Sequence, residues 1–393
     1  MPSPTHMGIV RRAGVAAAAI AAPLGLAYRF ALTYRARAGF PRGHPPLITP
    51  SRIGLAFQSA VIQSDGLALP AWFIPARGGL PGPGVVLVHG WESGRDRTLP
   101  MAVFLHAAGF HCLTFDVRGH GANPPEALPI SAGEFGRDAA AAFDALIARP
   151  EVTVGAIVGH SLGAIGALLA GAADPRVSAV VATSGPSDPY RLTRQTFRLA
   201  HLPIPSLIAQ PLAWLTTWVY LRPRGHRVPD ISASKAIERF EGPVLLAHGD
   251  QDAIVPISHL ARLARAGRRS RARDPRKGPV ETLMVVGGLH SWLYEDPGYR
   301  RTVARMLTRS LGGPLDPEIA GEIAVATRAI RIADAETAFA AVDGSQRGIR
   351  ALARVAIPGS TSFPATQPPG PLNEPAPGPE VGTAARVPLA AEG

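Results

Sequence analysis

The sequence predicts an α/β fold built on a mostly parallel, doubly wound sheet. Three observations carry that expectation. Short β-branched, apolar runs alternate with segments of helical composition between residues 52 and 312. One of these runs, Val152 to Val158, leads into Gly159-His160-Ser161-Leu162-Gly163 and then an Ala/Leu-rich stretch, which places a Gly-x-Ser-x-Gly turn between strand and helix. The alternation stops between Gly185 and Gly242, a segment far longer than an ordinary connection of about 4 to 6 residues.

Residues 1–12 are polar and basic and end in Arg11-Arg12, and residues 13–28 then carry no charge. This uncharged run is somewhat short of the roughly 20 residues that span a bilayer, but Arg29 could snorkel and lengthen it. Residues 1–40 are therefore expected to form a single N-terminal membrane anchor. A cleaved signal segment, and with it secretion, is the alternative, and a helix packed on the protein is a third. Arginines flank the run on both sides, so charge does not orient it.

Residues 41–51 are Pro-rich and read as a linker. Leu55 to Gln63 and Leu67 to Pro75 alternate in polarity around Ser64-Asp65-Gly66, a hairpin signal. Val85 to Val88 is a buried strand ending at His89-Gly90-Trp91. A helix over 98–109, a strand from Phe110 to Phe115 and an amphipathic helix from Phe135 to Ala148 follow. After the serine turn and its helix, Val177 to Ala182 is another strand. The 185–242 insert is rich in proline, aromatic and apolar residues, among them Trp214 and Trp218, and reads as a helical cap. Strands at Val244 to Ala247 and Val280 to Val286 and a helix from Tyr299 to Leu311 complete the pattern. Residues 313–356 have helical composition in part, and 357–393 form a Pro/Ala-rich tail without a core signal, expected to be disordered.

The net charge of +11 raises nucleic acid or an anionic surface as partners. Much of that charge is local: residues 265–277 hold six Arg and one Lys against one Asp. No aromatic residue is interleaved there, as a base-stacking groove would want, so the segment reads as a solvated basic loop and no nucleic-acid partner is expected. Cys112 is the only cysteine, which excludes an intrachain disulfide, and it reads as a small buried hydrophobe.

Ser161, Asp252 and His290 each follow a predicted strand, in that order. Around them stand His89-Gly90-Trp91, Asp116-Val117-Arg118-Gly119-His120-Gly121, His248-Gly249-Asp250-Gln251-Asp252 with Val255-Pro256 behind it, and Gly287-Gly288-Leu289-His290. Over residues 52–312 the chain resembles the α/β-hydrolases, in particular the serine hydrolases that include lysophospholipase, monoacylglycerol lipase and serine aminopeptidase relatives. Those relatives often have Met where Leu162 stands.

A serine hydroxyl is a poor nucleophile at neutral pH and needs a base within reach. His290 is the candidate base, and Asp252 the candidate partner that holds its tautomer. Asp250 competes for that part, but the resemblance to His-Gly-x-x-Asp-x-x-Val-Pro selects Asp252. Leu162, next after the serine, offers a backbone N–H to an oxyanion. The resemblance implies that Trp91 offers the second. His89, His120, His160 and His248 are expected to be structural. The chemistry needs no cofactor, and the His/Asp spacing gives no metal site of the zinc type. The expected function is hydrolysis of a carboxylic ester with an apolar, lipid-like acyl group, held near lipid by the N-terminal anchor. Peptidase or amidase chemistry on the same residues, and a non-catalytic binding protein of this fold, are the alternatives.

Overall fold

A computed structural model describes residues 4–330, with side chains from residue 21 onward. The C-terminal part of the expected 313–356 extension and the whole 357–393 tail lie outside the described residues.

The chain opens with a 35-residue helix, α1 (Pro4–Ala38). The hairpin of β1 (Gln58–Ser64) and β2 (Leu67–Ile74) follows. Its two turn residues, Asp65 and Gly66, have φ of 48° and 79°. A left-handed pair gives the primed turn whose twist matches that of the strands it joins.

The doubly wound part begins with β3 (Gly82–Val88), α2 (Leu99–Ala107), β4 (His111–Phe115), α3 (Ala132–Ile147), β5 (Val152–His160), α4 (Leu162–Ala173) and β6 (Val177–Thr183). Next come α5 (Pro189–Leu199), α6 (Ser206–Leu221) and α7 (Ala233–Arg239). The series closes with β7 (Val244–Gly249), α8 (Ser258–Arg273), β8 (Val280–Val285), α9 (Pro297–Leu311) and α10 (Pro317–Ala326). The strands form one eight-stranded sheet in the order β1-β2-β4-β3-β5-β6-β7-β8. β2 runs antiparallel to both neighbours and the remaining pairs are parallel.

Alternate residues of each strand serve opposite faces, as the two-residue period of a strand requires. Val86 and Val88 join the core under α3, α4, α7 and α8. Val85 and Leu87 join the core under α2, α9 and α10. Both faces are covered, which is why these strands read as unbroken apolar runs. β4 and β5 lie on opposite sides of β3, so the winding reverses there, and the crevice outside the ends of β3 and β5 is where such sheets bind ligands.

The 185–242 segment divides in two. α5 and α6 leave the sheet, whereas α7 returns to it, burying Ala233, Ala236 and Ile237 in the sheet core. α5 and α6 pack on the end of α1 instead: Tyr34, Phe197, Ala200 and Ala213 form a separate small core. The Tyr34 ring meets Phe197 and Tyr220 edge-on, at centroid distances of 5.9 and 6.1 Å, and its hydroxyl lies 2.9 Å from that of Thr196.

This docking corrects the expected single N-terminal anchor. Among the described residues, no helix is long and apolar enough to cross a membrane. The described half of α1 carries Pro23, Arg29, Arg35 and Arg37, and it buries Ala31 and Tyr34 in the protein. Arg35 Nη1 donates to the Val219 carbonyl at 3.1 Å. The membrane localisation and membrane association drawn from residues 1–40 fall with the anchor. The basic 265–277 segment also differs from its expectation: α8 continues to Arg273, and Arg271 donates to the carbonyls of Ile237, Gly242 and Gly278.

Candidate active site

Ser161 stands between β5 and α4 with φ 56° and ψ −118°. A non-glycine residue held there stores strain of about 1–3 kcal/mol, which the surroundings must over-determine. They do so through contacts that only glycines permit. A Cβ on Gly159 would come 2.1 Å from the Gly163 carbonyl oxygen, and one on Gly163 would come 2.4 Å from the carbonyl oxygens of Val88 and His89. The Ser161 N–H donates to the Thr183 carbonyl at 2.9 Å, which extends the β5–β6 pairing to the turn itself.

The sheet brings the three candidate residues together although 129 residues separate the first from the last. His290 Nε2 lies 3.1 Å from Ser161 Oγ, and its Nδ1 lies 2.8 Å from Asp252 Oδ2. The carboxylate fixes the tautomer: Nδ1 carries the proton and donates it, and Nε2 is left to accept from the serine hydroxyl. Asp252 Oδ1 in turn accepts the backbone N–H groups of Ile254 and Val255, at 3.0 and 2.8 Å. Burial works to raise the Asp252 pKa. Hydrogen bonds from His248 and His290, the nearby His290 charge and the Val255 N–H outweigh it and hold the carboxyl well below the ordinary carboxylate value. Asp250 does something else: its Oδ1 accepts from the Gly287 N–H at 2.7 Å and so secures the loop that carries His290.

The accompanying histidines are all hydrogen-bonded, and His89, His120 and His248 are buried. His248 Nε2 donates to the Val255 carbonyl at 2.6 Å and lies 3.2 Å from Asp252 Oδ2. His89 bridges its neighbour's carbonyl and the Val117 N–H, at 2.7 and 3.0 Å. His120 bonds the Arg118 carbonyl at 3.0 Å. His160 reaches furthest: its Nε2 lies 2.8 Å from the carbonyl oxygen of His290. Burial, and then the nearby His290 charge, lower its pKa to about 4, so the ring is neutral at pH 7 and Nε2 is the donor.

Leu162 opens α4, where the first helical N–H groups have no partner within the helix. Trp91 follows Gly90, and a Cβ on Gly90 would come 3.1 Å from the Ser161 Cβ, so this backbone lies directly against the serine. Ser161, His290, Trp91 and Leu162 all line one cavity of about 300 Å³.

Residues missed by sequence reasoning complete its wall. Leu192 and Leu199 come from α5 and Tyr34 from α1, beside Tyr220 of α6, one of the aromatic residues of the expected cap. Trp292, with φ 71°, packs edge-on against Tyr294 just beyond His290. A bulky residue at that φ is an outlier held by its surroundings. The aromatic run Trp292-Leu293-Tyr294 was a usable signal for this wall, since it directly follows His290. Nothing local marked Tyr34, whose partners on α5 and α6 lie far along the chain. No group of three metal-ligating side chains occurs among the described residues.

Comparison with known proteins agrees with this fold. A model of the alpha/beta hydrolase family matches residues 85–326, more than half of the chain. An uncharacterized protein of Mycobacterium tuberculosis is 34% identical over 122 residues, covering 30% of this chain and 42% of that protein. A polyketide transferase of Stachybotrys chlorohalonatus is 34% identical over 128 residues, covering 32% and 42%. The chain thus matches only about two fifths of the length of these curated relatives. Among solved structures, an esterase of Pyrococcus furiosus has a TM-score of 0.53 at 19% identity, covering 70% of this chain and all of that one. A puromycin-hydrolyzing peptidase of Mycobacterium tuberculosis has a TM-score of 0.50 at 23% identity, covering 66% and 40%. At these identities the likeness concerns the fold.

Proposed function

We propose that this chain, which belongs to the alpha/beta hydrolase family, is a serine hydrolase that cleaves a carboxylic ester through an acyl-serine intermediate. One observation carries the reading: the hydrogen-bond chain from Ser161 through His290 to Asp252 opens, at a strained turn, into a largely apolar cavity.

In this mechanism Ser161 Oγ attacks the ester carbonyl carbon while its proton passes to His290 Nε2. Asp252 stabilises the imidazolium and keeps the ring oriented. The carbonyl oxygen becomes an oxyanion, which accepts from the backbone N–H groups of Leu162 and Trp91. Each such donor is worth about a hundredfold to a thousandfold in turnover. His290 then gives its proton to the departing alkoxide and the acyl-serine remains. Water repeats the sequence, His290 accepting its proton as the oxygen attacks, and the acid leaves with Ser161 restored. Apolar walls from α1, α5 and α6 favour an apolar acyl body. The lipid-like character expected from an N-terminal anchor has lost that support.

Pre-steady-state hydrolysis of a p-nitrophenyl ester series tests the reading. The expected result is a burst of p-nitrophenol, close to one per protein, that is absent in Ser161→Ala. Hydrolysis that persists undiminished in Ser161→Ala would overturn it.

A further inference from the structure

Two arginines, Arg37 and Arg97, line the cavity that holds Ser161, and neither forms an ion pair among the described residues. The Nε of Arg97 is buried and has no hydrogen-bond partner. A buried guanidinium N–H without an acceptor is costly, and native proteins leave few. Of the four other arginines with a buried, unbonded Nε, three have a partner elsewhere in the structure. Arg95 is paired with Asp116, Arg191 lies 3.5 Å from Asp188, and Arg300 donates to the Thr327 carbonyl. Arg194 has no such partner but does not line the cavity. Asp96, beside Arg97 in sequence, accepts from the Leu47 N–H at 2.9 Å and makes no ion pair with Arg97. Glu92, the single carboxylate among the lining residues, accepts from the Arg42 N–H at 3.4 Å. With two guanidinium groups against one carboxylate, the wall beside the candidate nucleophile carries a net positive charge, in a lining whose surface is mostly apolar.

We infer that Arg97, with Arg37 beside the same cavity, forms an anion subsite, so that the preferred substrate is an amphiphilic ester carrying a carboxylate on an apolar body. The inference rests on the serine-hydrolase reading of the cavity and deepens it. A guanidinium presents several N–H donors in a planar fork that matches a carboxylate, and in an apolar wall the pairing gains from low water access. The charge can sit on the acyl side or the alcohol side of the ester bond, and the two sources call for separate substrates.

The experiment compares kcat/KM for two matched pairs. Ethyl hydrogen adipate against ethyl hexanoate puts the carboxylate on the acyl side. 4-(Hexanoyloxy)butanoate against butyl hexanoate puts it on the alcohol side. For one pair, the anionic-to-neutral ratio falls about 10- to 100-fold in Arg97→Met, the range expected for losing a charge-assisted hydrogen bond. Arg97→Lys recovers part of the ratio, and Arg194→Met, which removes an equal charge outside the cavity, leaves it unchanged. A ratio that moves in neither pair, or that moves equally in Arg194→Met, overturns the anion subsite. Calorimetric binding of ethyl hydrogen adipate and of 4-(hexanoyloxy)butanoate to Ser161→Ala separates the two readings. Arg97-dependent binding without hydrolysis by the wild type keeps the subsite and sinks the hydrolase. Hydrolysis with Arg97-independent ratios does the reverse.

Discussion

His160 Nε2 donates to the carbonyl oxygen of His290 at 2.8 Å, so the residue before the candidate nucleophile holds the backbone of the candidate base. The contact crosses from the end of β5 to the loop after β8. His160 is thereby a positioning residue: it touches no reacting atom but sets where the imidazole of His290 hangs. In His160→Ala that tether is lost. The expected result is a fall of about tenfold in kcat with KM within about twofold, since ground-state binding does not use the tether. His160→Gln, which keeps a donor, recovers part of the loss. An equal rise in KM without loss of kcat would contradict this assignment.

Asp252 and Asp250 offer a sharper contrast. Both belong to His248-Gly249-Asp250-Gln251-Asp252, yet only Asp252 bonds His290. Asp252→Asn keeps the shape but offers an amide where a carboxylate fixed the tautomer. Turnover should fall by about 10³- to 10⁴-fold. Asp250→Asn should stay within about tenfold and act through the Gly287 loop. Steady-state kinetics on the two variants checks both numbers.

The stability of the protein should depend on pH through His160 and His259, among other histidines whose pKa desolvation lowers. Burial, as the first cause, lowers the pKa of both His160 and His259 to about 4. His259 accepts the Ser187 N–H on Nδ1 at 3.0 Å, a bond only its neutral form makes. The unfolded chain takes up a proton on each near pH 6.5, whereas the folded chain does so only near pH 4. Stability is therefore fully present above about pH 6.5 and falls as the pH drops toward 4. Each group contributes a slope of up to about 1.4 kcal/mol per pH unit in that window. Denaturant titrations from pH 4 to 7 should show a shallower slope in His259→Gln than in wild type. An unchanged slope would contradict the assignment.

Arg118 and Asp138 form a buried pair that ties the hairpin turn to the loop after β4 and to α3. Arg118 Nε donates to both carboxylate oxygens, at 3.0 and 3.1 Å, and Nη2 reaches Ser64 and Asp65 at 3.0 Å each. Arg118→Met leaves Asp138 buried without its cation and should cost about 3–5 kcal/mol. The double variant Arg118→Met, Asp138→Leu should recover part of it. Thermal and denaturant unfolding of the three variants measures the coupling.

Much of this arrangement was legible because its signals are local. The unbroken Val85-Val86-Leu87-Val88 run needs two covered faces, and the sheet has them. Ser64-Asp65-Gly66 marks its own turn, and Gly159 and Gly163 mark the close approach around Ser161. What stayed hidden depends on partners distant in sequence. α1 resembled an anchor because the apolar run of residues 13–28 is local, whereas the surface that Phe30, Tyr34 and Ala38 cover, around Phe197 and Tyr220, is distant in sequence. The end of the 185–242 insert blurred for the same reason: the apolar stripe of Ala233, Ala236 and Ile237 on α7 reads alike whether it faces the insert or α4. The bond from His160 to the His290 backbone carries no side-chain signature at its acceptor end. Arg97 reads as an ordinary surface charge until the cavity beside it is seen.

In the proposed mechanism His290 activates Ser161 as a nucleophile. The most direct measurement treats the folded protein with an alkyl fluorophosphonate and maps the adduct by peptide mass spectrometry. The expected result is one phosphonyl group, on Ser161, formed at a rate that falls at least about a hundredfold in His290→Ala. An adduct on any other residue, or labelling of Ser161 at the same rate without His290, would contradict it.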